Sequence, residues 1–168
     1  MTFYVENETD ESFEFDVEEL IKKLTAAVTG KFGVSHEVSL NVTFTDDETI
    51  KDINAQFRNL DRSTDVLSFP ALNFEKPGDF SSFRESDPEC FDPDTGELIL
   101  GDIMISLDHA HKQAEEYGHS YLREIAFLIT HSLLHLSGFD HETDGDRLEM
   151  ESIQEEILGK VGITREMG

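Results

Sequence analysis

The segment His131-Ser132-Leu133-Leu134-His135-Leu136-Ser137-Gly138-Phe139-Asp140-His141 gathers three imidazoles into one short stretch. His131 and His135 are four residues apart, so on a helix they lie on one face, a turn apart, where both can reach one metal ion. Gly138 lets the chain turn back, and His141 can return as a third ligand. Three neutral imidazoles leave a fourth tetrahedral position open, as catalytic zinc sites do. Zinc lowers the pKa of a water held there to about 7. A lone histidine is usually a side chain with satisfied hydrogen bonds. Three at this spacing on an apolar segment would each need a buried partner, a demand that one shared ion meets.

The offsets, with glycine between the second and third histidine, are those of the metzincin peptidases. In those enzymes a glutamate follows the first histidine and acts as general base. Ser132 stands there in this chain and cannot accept a proton near neutral pH. A peptidase would need Asp140 or Glu142 to take over that role. A non-catalytic version of the site would instead use one of those carboxylates to close the fourth position. Asp102, after Gly101 in an apolar run, is a candidate for orienting a ligand histidine, and Asp140 for the same task or for capping the turn. His109 and His111 read as surface residues, while His36 and His119 have no ligand-like partner nearby in sequence. Cys90, the single cysteine, reads as inert.

These residues need elements to hold them. Phe3 and Val5 suggest a first strand. Asp16 with Glu19 forms a capping box that opens a helix through Leu20, Ile21, Leu24 and Val28, closed by Gly33. Val38, Leu40, Val42 and Phe44 alternate with polar residues, as a half-buried strand does. Asp46 or Asp47 can cap a helix to about Phe57, with Ile50 and Ile53 inward. Val66 to Phe69 is a strand stopped by Pro70. Residues 71–97 hold three of the four prolines and read as a long loop, functional or mobile. Leu98 to Leu107 reads as a buried strand, followed by a helix from Asp108 to Tyr117. A very apolar helix then runs from Tyr121 to Leu136, with Gly138 as its left-handed cap. Thr143 can cap a last amphipathic helix through Leu148, Ile153 and Ile157. The order β-α-β-α-β-β-α-α-α predicts an α+β fold. Its one small mixed sheet is packed by helices, and its central buried helix carries the histidines.

The chain of 168 residues is long enough for one domain, residues 1–168. Its formal net charge of −24 speaks against binding to nucleic acid by bulk charge. An acidic surface with few bases keeps a protein soluble, and a local positive patch can survive within it. Arg58 and Arg62, beyond Lys51, flank a polar turn where such a patch would lie. Without the resemblance given next, Arg58 reads more readily as a surface partner of Asp61 or Asp65 than as a site residue. No apolar run is long enough for a membrane span. An acidic start without a signal pattern and a lone cysteine fit a cytoplasmic protein.

Three separated segments resemble the YbeY family of metal-dependent endoribonucleases. They are the histidine motif; Asn54-Ala55-Gln56-Phe57-Arg58 through Asp61-Arg62-Ser63-Thr64-Asp65-Val66-Leu67-Ser68-Phe69-Pro70; and Leu100-Gly101-Asp102-Ile103. The resemblance runs from about residue 38 to 158. It implies a single-strand-specific endoribonuclease in ribosomal RNA maturation and ribosome quality control, forming the 3′ end of 16S RNA. The implied partners are ribosomal RNA and the ribosome or its small-subunit proteins, with no membrane and no DNA. The implied cofactor is one Zn²⁺ on His131, His135, His141 and water, with Arg58 and His131 in catalysis. A metal and a planar guanidinium together suit the charge that builds on a phosphodiester under attack. Whether hydroxide attacks phosphorus or a 2′-hydroxyl is deprotonated stays open. Two departures from the family are visible. Ser132 replaces a usual glycine, where it would narrow the cleft or offer a hydrogen bond, and the 71–97 loop is longer.

Overall fold

The computed structural model describes residues 1–58, 64–84 and 88–163, with Arg58 described by its backbone alone. The elements are β1 (Thr2–Asn7), α1 (Val17–Lys31), β2 (Val38–Thr45), α2 (Asp47–Arg58), β3 (Val66–Pro70), β4 (Leu98–Ser106), α3 (Leu107–Tyr117), α4 (Tyr121–Leu136) and α5 (Asp144–Lys160). They form one four-stranded sheet in the order β1-β2-β4-β3. β1, β2 and β4 run parallel, and β3 pairs antiparallel with β4. The fold is α+β with a mixed sheet, in the element order that periodicity predicts.

Helix α4 is the centre of the packing. Ile125, Leu128, Ile129, Leu133 and Leu134 leave it apolar nearly all round, and it packs against α1, α3, α5, β3 and β4. A helix apolar on most of its sides is stable only when neighbours cover them, and the remaining side of α4 carries Arg123, His131 and His135. Its start is capped by Ser120, whose Oγ accepts from the Arg123 amide at 3.1 Å. The end of α4 comes close to the sheet because Gly101 of β4 has no side chain. A Cβ there would lie 2.3 Å from the Phe69 carbonyl oxygen and 3.2 Å from Leu136.

Several expectations change at this level. Of the two residues expected to cap α2, Asp46 does so, its Oδ1 accepting from the Thr49 amide at 2.8 Å. Leu107 opens α3 instead of ending β4. Leu148 faces solvent at 60 % exposure. The buried stripe of α5 is Met150, Gln154, Ile157 and Leu158, and at 3.6 residues per turn Leu148 falls on the opposite side. Within residues 71–97, Leu72, Phe80, Phe83 and Phe91 are buried in the core, and Phe80–Ser82 forms a 3-10 turn. The aromatic side chains scattered along this segment are what tie it down. Among the described residues, no helix is long and apolar enough to cross a membrane.

Candidate metal centre

His131 and His135 sit in the last turns of α4, and His141 stands in the turn before α5. That turn depends on Gly138, which has φ +95° and lies so close to Phe74 that a Cβ would meet it at 2.7 Å. The helix end is closed by Ser137, whose Oγ donates to the Leu133 carbonyl at 2.8 Å. Asp140 Oδ1 accepts from the His141 amide at 2.7 Å, so Asp140 shapes the turn.

The three imidazoles converge as the spacing predicts. One ring nitrogen of each lies within 4.8 Å of the others, and together they could hold a metal ion. No other His, Cys, Asp or Glu among the described residues joins this group, so neither Asp140 nor Glu142 closes it. The histidines open onto a cleft of about 640 Å³, whose other wall includes Asp65, Val66, Ser68 and Pro70 of β3 and its approach. Leu72, Asn73 and Phe74 border the same cleft, which gives the first part of the long segment a place in the site.

The donor set suits a cation. Burial, and then the neighbouring charges of His135 and His141, lower the pKa of His131 from 6.5 to about 4. Its ring is therefore neutral at pH 7, with a lone pair to offer. Two groups fix the rings from behind. Nε2 of Gln154, on α5, lies 3.1 Å from His131 Nδ1, and the Phe139 carbonyl lies 3.0 Å from His135 Nδ1. Histidine ligands generally have such a partner on the second nitrogen. Sequence reasoning missed both. A glutamine on a helix carries no motif, and a backbone carbonyl carries no residue identity.

The other candidates fall elsewhere. Asp102 is exposed on the sheet, where its Oδ1 accepts from Asn41 Nδ2 at 2.7 Å. It is far in function from the histidines, because alternation along β4 turns it to the opposite face from Ile103. Ser132 is fully buried, with its Oγ unpartnered. One helical step from His131 turns it into the core, so it neither narrows the cleft nor offers a bond there. His109 pairs with Asp47. His111 pairs with Glu11 at 2.5 Å and stacks on Tyr121. His119 pairs with buried Glu124, and His36 meets the edge of Phe91. Cys90 is half-buried and packs beside the core. Arg58 ends α2, and Arg62 and Asp61 lie outside the described residues.

With this geometry in view, likeness to known proteins is informative. The family model for Endoribonuclease YbeY matches residues 4–162. The chain belongs to this family. It is 48% identical to the Endoribonuclease YbeY of Agathobacter rectalis over 165 residues, covering 98% of this chain and 100% of that protein. It is 45% identical to that of Lachnoclostridium phytofermentans over the same shares. A solution structure of a Thermotoga maritima protein aligns with a TM-score of 0.54 at 26% identity, covering 95% of this chain and 91% of that one. The residues that the family model matches run from within β1 to beyond α5 and include all three histidines.

Proposed function

We propose that this chain, as one domain spanning residues 1–168, is a zinc-dependent endoribonuclease. On this reading it cuts single-stranded ribosomal RNA in the cytoplasm, in 16S 3′-end maturation and ribosome quality control. Membership of the endoribonuclease YbeY family makes it a hydrolase of RNA. The observation that carries the finer reading is the meeting of three imidazole nitrogens within 4.8 Å at one wall of an open cleft.

In this reading His131, His135 and His141 hold the ion. Gln154 and the Phe139 carbonyl keep the rings aimed into the cleft. Zinc so held supplies a Lewis acid for the phosphodiester and lowers the pKa of water. Arg58, at the end of α2, brings a planar guanidinium to the charge that develops on the non-bridging oxygens. Its place at an element end suits a side chain that must be held near a substrate. Small-subunit proteins would help an acidic enzyme meet its RNA.

The test is cleavage of single-stranded ribosomal RNA, with zinc content measured on the same preparations. His135→Ala should lose metal and cleavage together, and Arg58→Ala should lose cleavage while keeping metal. Equal cleavage by wild type and both variants would remove the reading.

A further inference from the structure

A second cavity, of about 370 Å³, lies along α4 from the histidines and is lined by Tyr117, His119, Arg123, Glu124, Phe127 and Glu155. Arg123 is 4 % exposed, yet its Nη1 has no hydrogen-bond partner. Nη2 faces Glu155 Oε1 at 3.5 Å. A buried donor left unmade is costly, and Nη1 is closed to solvent, so an acceptor that displaces the side chains covering it gives this guanidinium the partner it lacks. Phe127 and the 64 % exposed Tyr117 add ring faces.

This cavity and the metal centre lie along the same helix, with Phe127 between them. Arg123, Phe127 and His131 follow at four-residue spacing on one face of α4, about 12 Å from first to last. Phe127 stacks on the His131 ring with centroids 6.2 Å apart and planes 16° from parallel. The same Phe127 borders a further hollow with His131 and His141. A strand seated at the histidines would therefore pass its next base toward Arg123.

The chemistry of the walls selects among ligands. A phosphate would meet Arg123 but also the carboxylates of Glu124 and Glu155, which oppose an anion. A flat neutral group has no such conflict, and two adjacent donors for one carboxylate beside an acceptor for the guanidinium is a pattern that guanine carries and adenine, cytosine and uracil do not. We infer that this cavity is a nucleobase subsite that favours guanine, with Arg123 donating to its carbonyl and Glu155 accepting from its imino and amino groups. Unstacked bases are commonly read this way, by aromatic faces and by hydrogen bonds along their pairing edge. The inference rests on the RNA-cleaving reading above and names which base lies beside the cut.

The experiment titrates isotopically labelled protein with GMP, AMP, CMP, UMP and inorganic phosphate. It follows the NMR signals of the Tyr117 and Phe127 rings and the Arg123 Nε–H. GMP should shift these signals at concentrations where the other nucleotides and phosphate do not. Glu155→Gln, a change at the half-exposed rim, should weaken GMP about tenfold, the discrimination that one good bidentate contact gives. Tyr117→Ala, also at the surface, should weaken all bases alike. RNA cut by the wild type should carry guanine at one fixed position beside the cut, and Glu155→Gln should lose that enrichment. Equal shifts from all nucleotides, the same response to phosphate alone, or no response would overturn the subsite. Cleavage with no base enrichment, unchanged by Glu155→Gln, would overturn it while leaving the nuclease reading intact. Selective GMP binding without any cleavage would do the reverse.

Discussion

Replacing Gln154 should loosen the metal without touching a ligand. The reason lies in a chain of protons. Gln154 Nε2 donates to His131 Nδ1 at 3.1 Å. His131 therefore carries its own proton on Nε2 and donates to His135 Nε2 at 3.0 Å. His135 in turn carries its proton on Nδ1 and donates to the Phe139 carbonyl at 3.0 Å. His135 is thus already in the form that offers Nε2 to a cation. His131 is not, and must move its proton to Nδ1, where the Gln154 amide has to turn over and accept through Oε1. Gln154 is 2 % exposed, so no solvent replaces it there. Gln154→Leu keeps the volume and removes the acceptor. Partners of ligand histidines are typically worth ten- to hundredfold in metal affinity, or about 1.4–2.7 kcal/mol. Gln154→Glu should bind at least as tightly as the wild type, because a carboxylate accepts from Nδ1–H. It should be less stable without metal, because it then buries a charge. Competition against a chromophoric zinc chelator reads both affinities. Wild-type affinity in a folded Gln154→Leu protein would refute the reasoning.

Three further outcomes follow from the same structure. The metal-free protein should lose stability as pH falls, because the folded His131 pKa of about 4 lies below its ordinary 6.5. The unfolded chain then binds the proton first, and up to about 3 kcal/mol is lost between those values; denaturant unfolding of wild type and His131→Asn across that range isolates the slope. Ser132→Ala should raise the unfolding free energy by about 1–3 kcal/mol, because it removes a fully buried hydroxyl with no partner, and should leave zinc affinity unchanged. Cleavage of naked RNA by a chain of net charge −24 should rise as salt goes from about 10 mM to about 100 mM, since the screening length shrinks from about 30 Å to about 10 Å. A fall over that range, as in a basic nuclease, would show that local positive charge governs the encounter.

What the sequence makes legible here depends on how far a residue's role is local. The strands and helices are written in alternation and capping signals, and Asp16, Ser120 and Thr143 cap helices through side chains three residues from the amides they accept from. The three histidines are also a local pattern, since a helical turn followed by a glycine turn brings them together with little help from the rest of the fold. Gln154 is different. It matters only because α5 packs against α4, and apolar patterning along α5 points to Leu148, which lies off the buried face of Met150, Gln154, Ile157 and Leu158. Asp102 failed for a related reason. Strand alternation shows that Asp102 and Ile103 face opposite ways, but it does not show which face α4 covers. The long segment at 71–97 hid its role in its aromatic residues, since Phe74, Phe80 and Phe83 pack edge-on to one another with no period to betray them. Phe74 then fills the space that Gly138 leaves open. The turn that returns His141 therefore depends on a residue of this segment. Its length is consequently a matter of site architecture as well as of surface, and shortening it past Phe74 should disturb the third histidine before it disturbs the sheet.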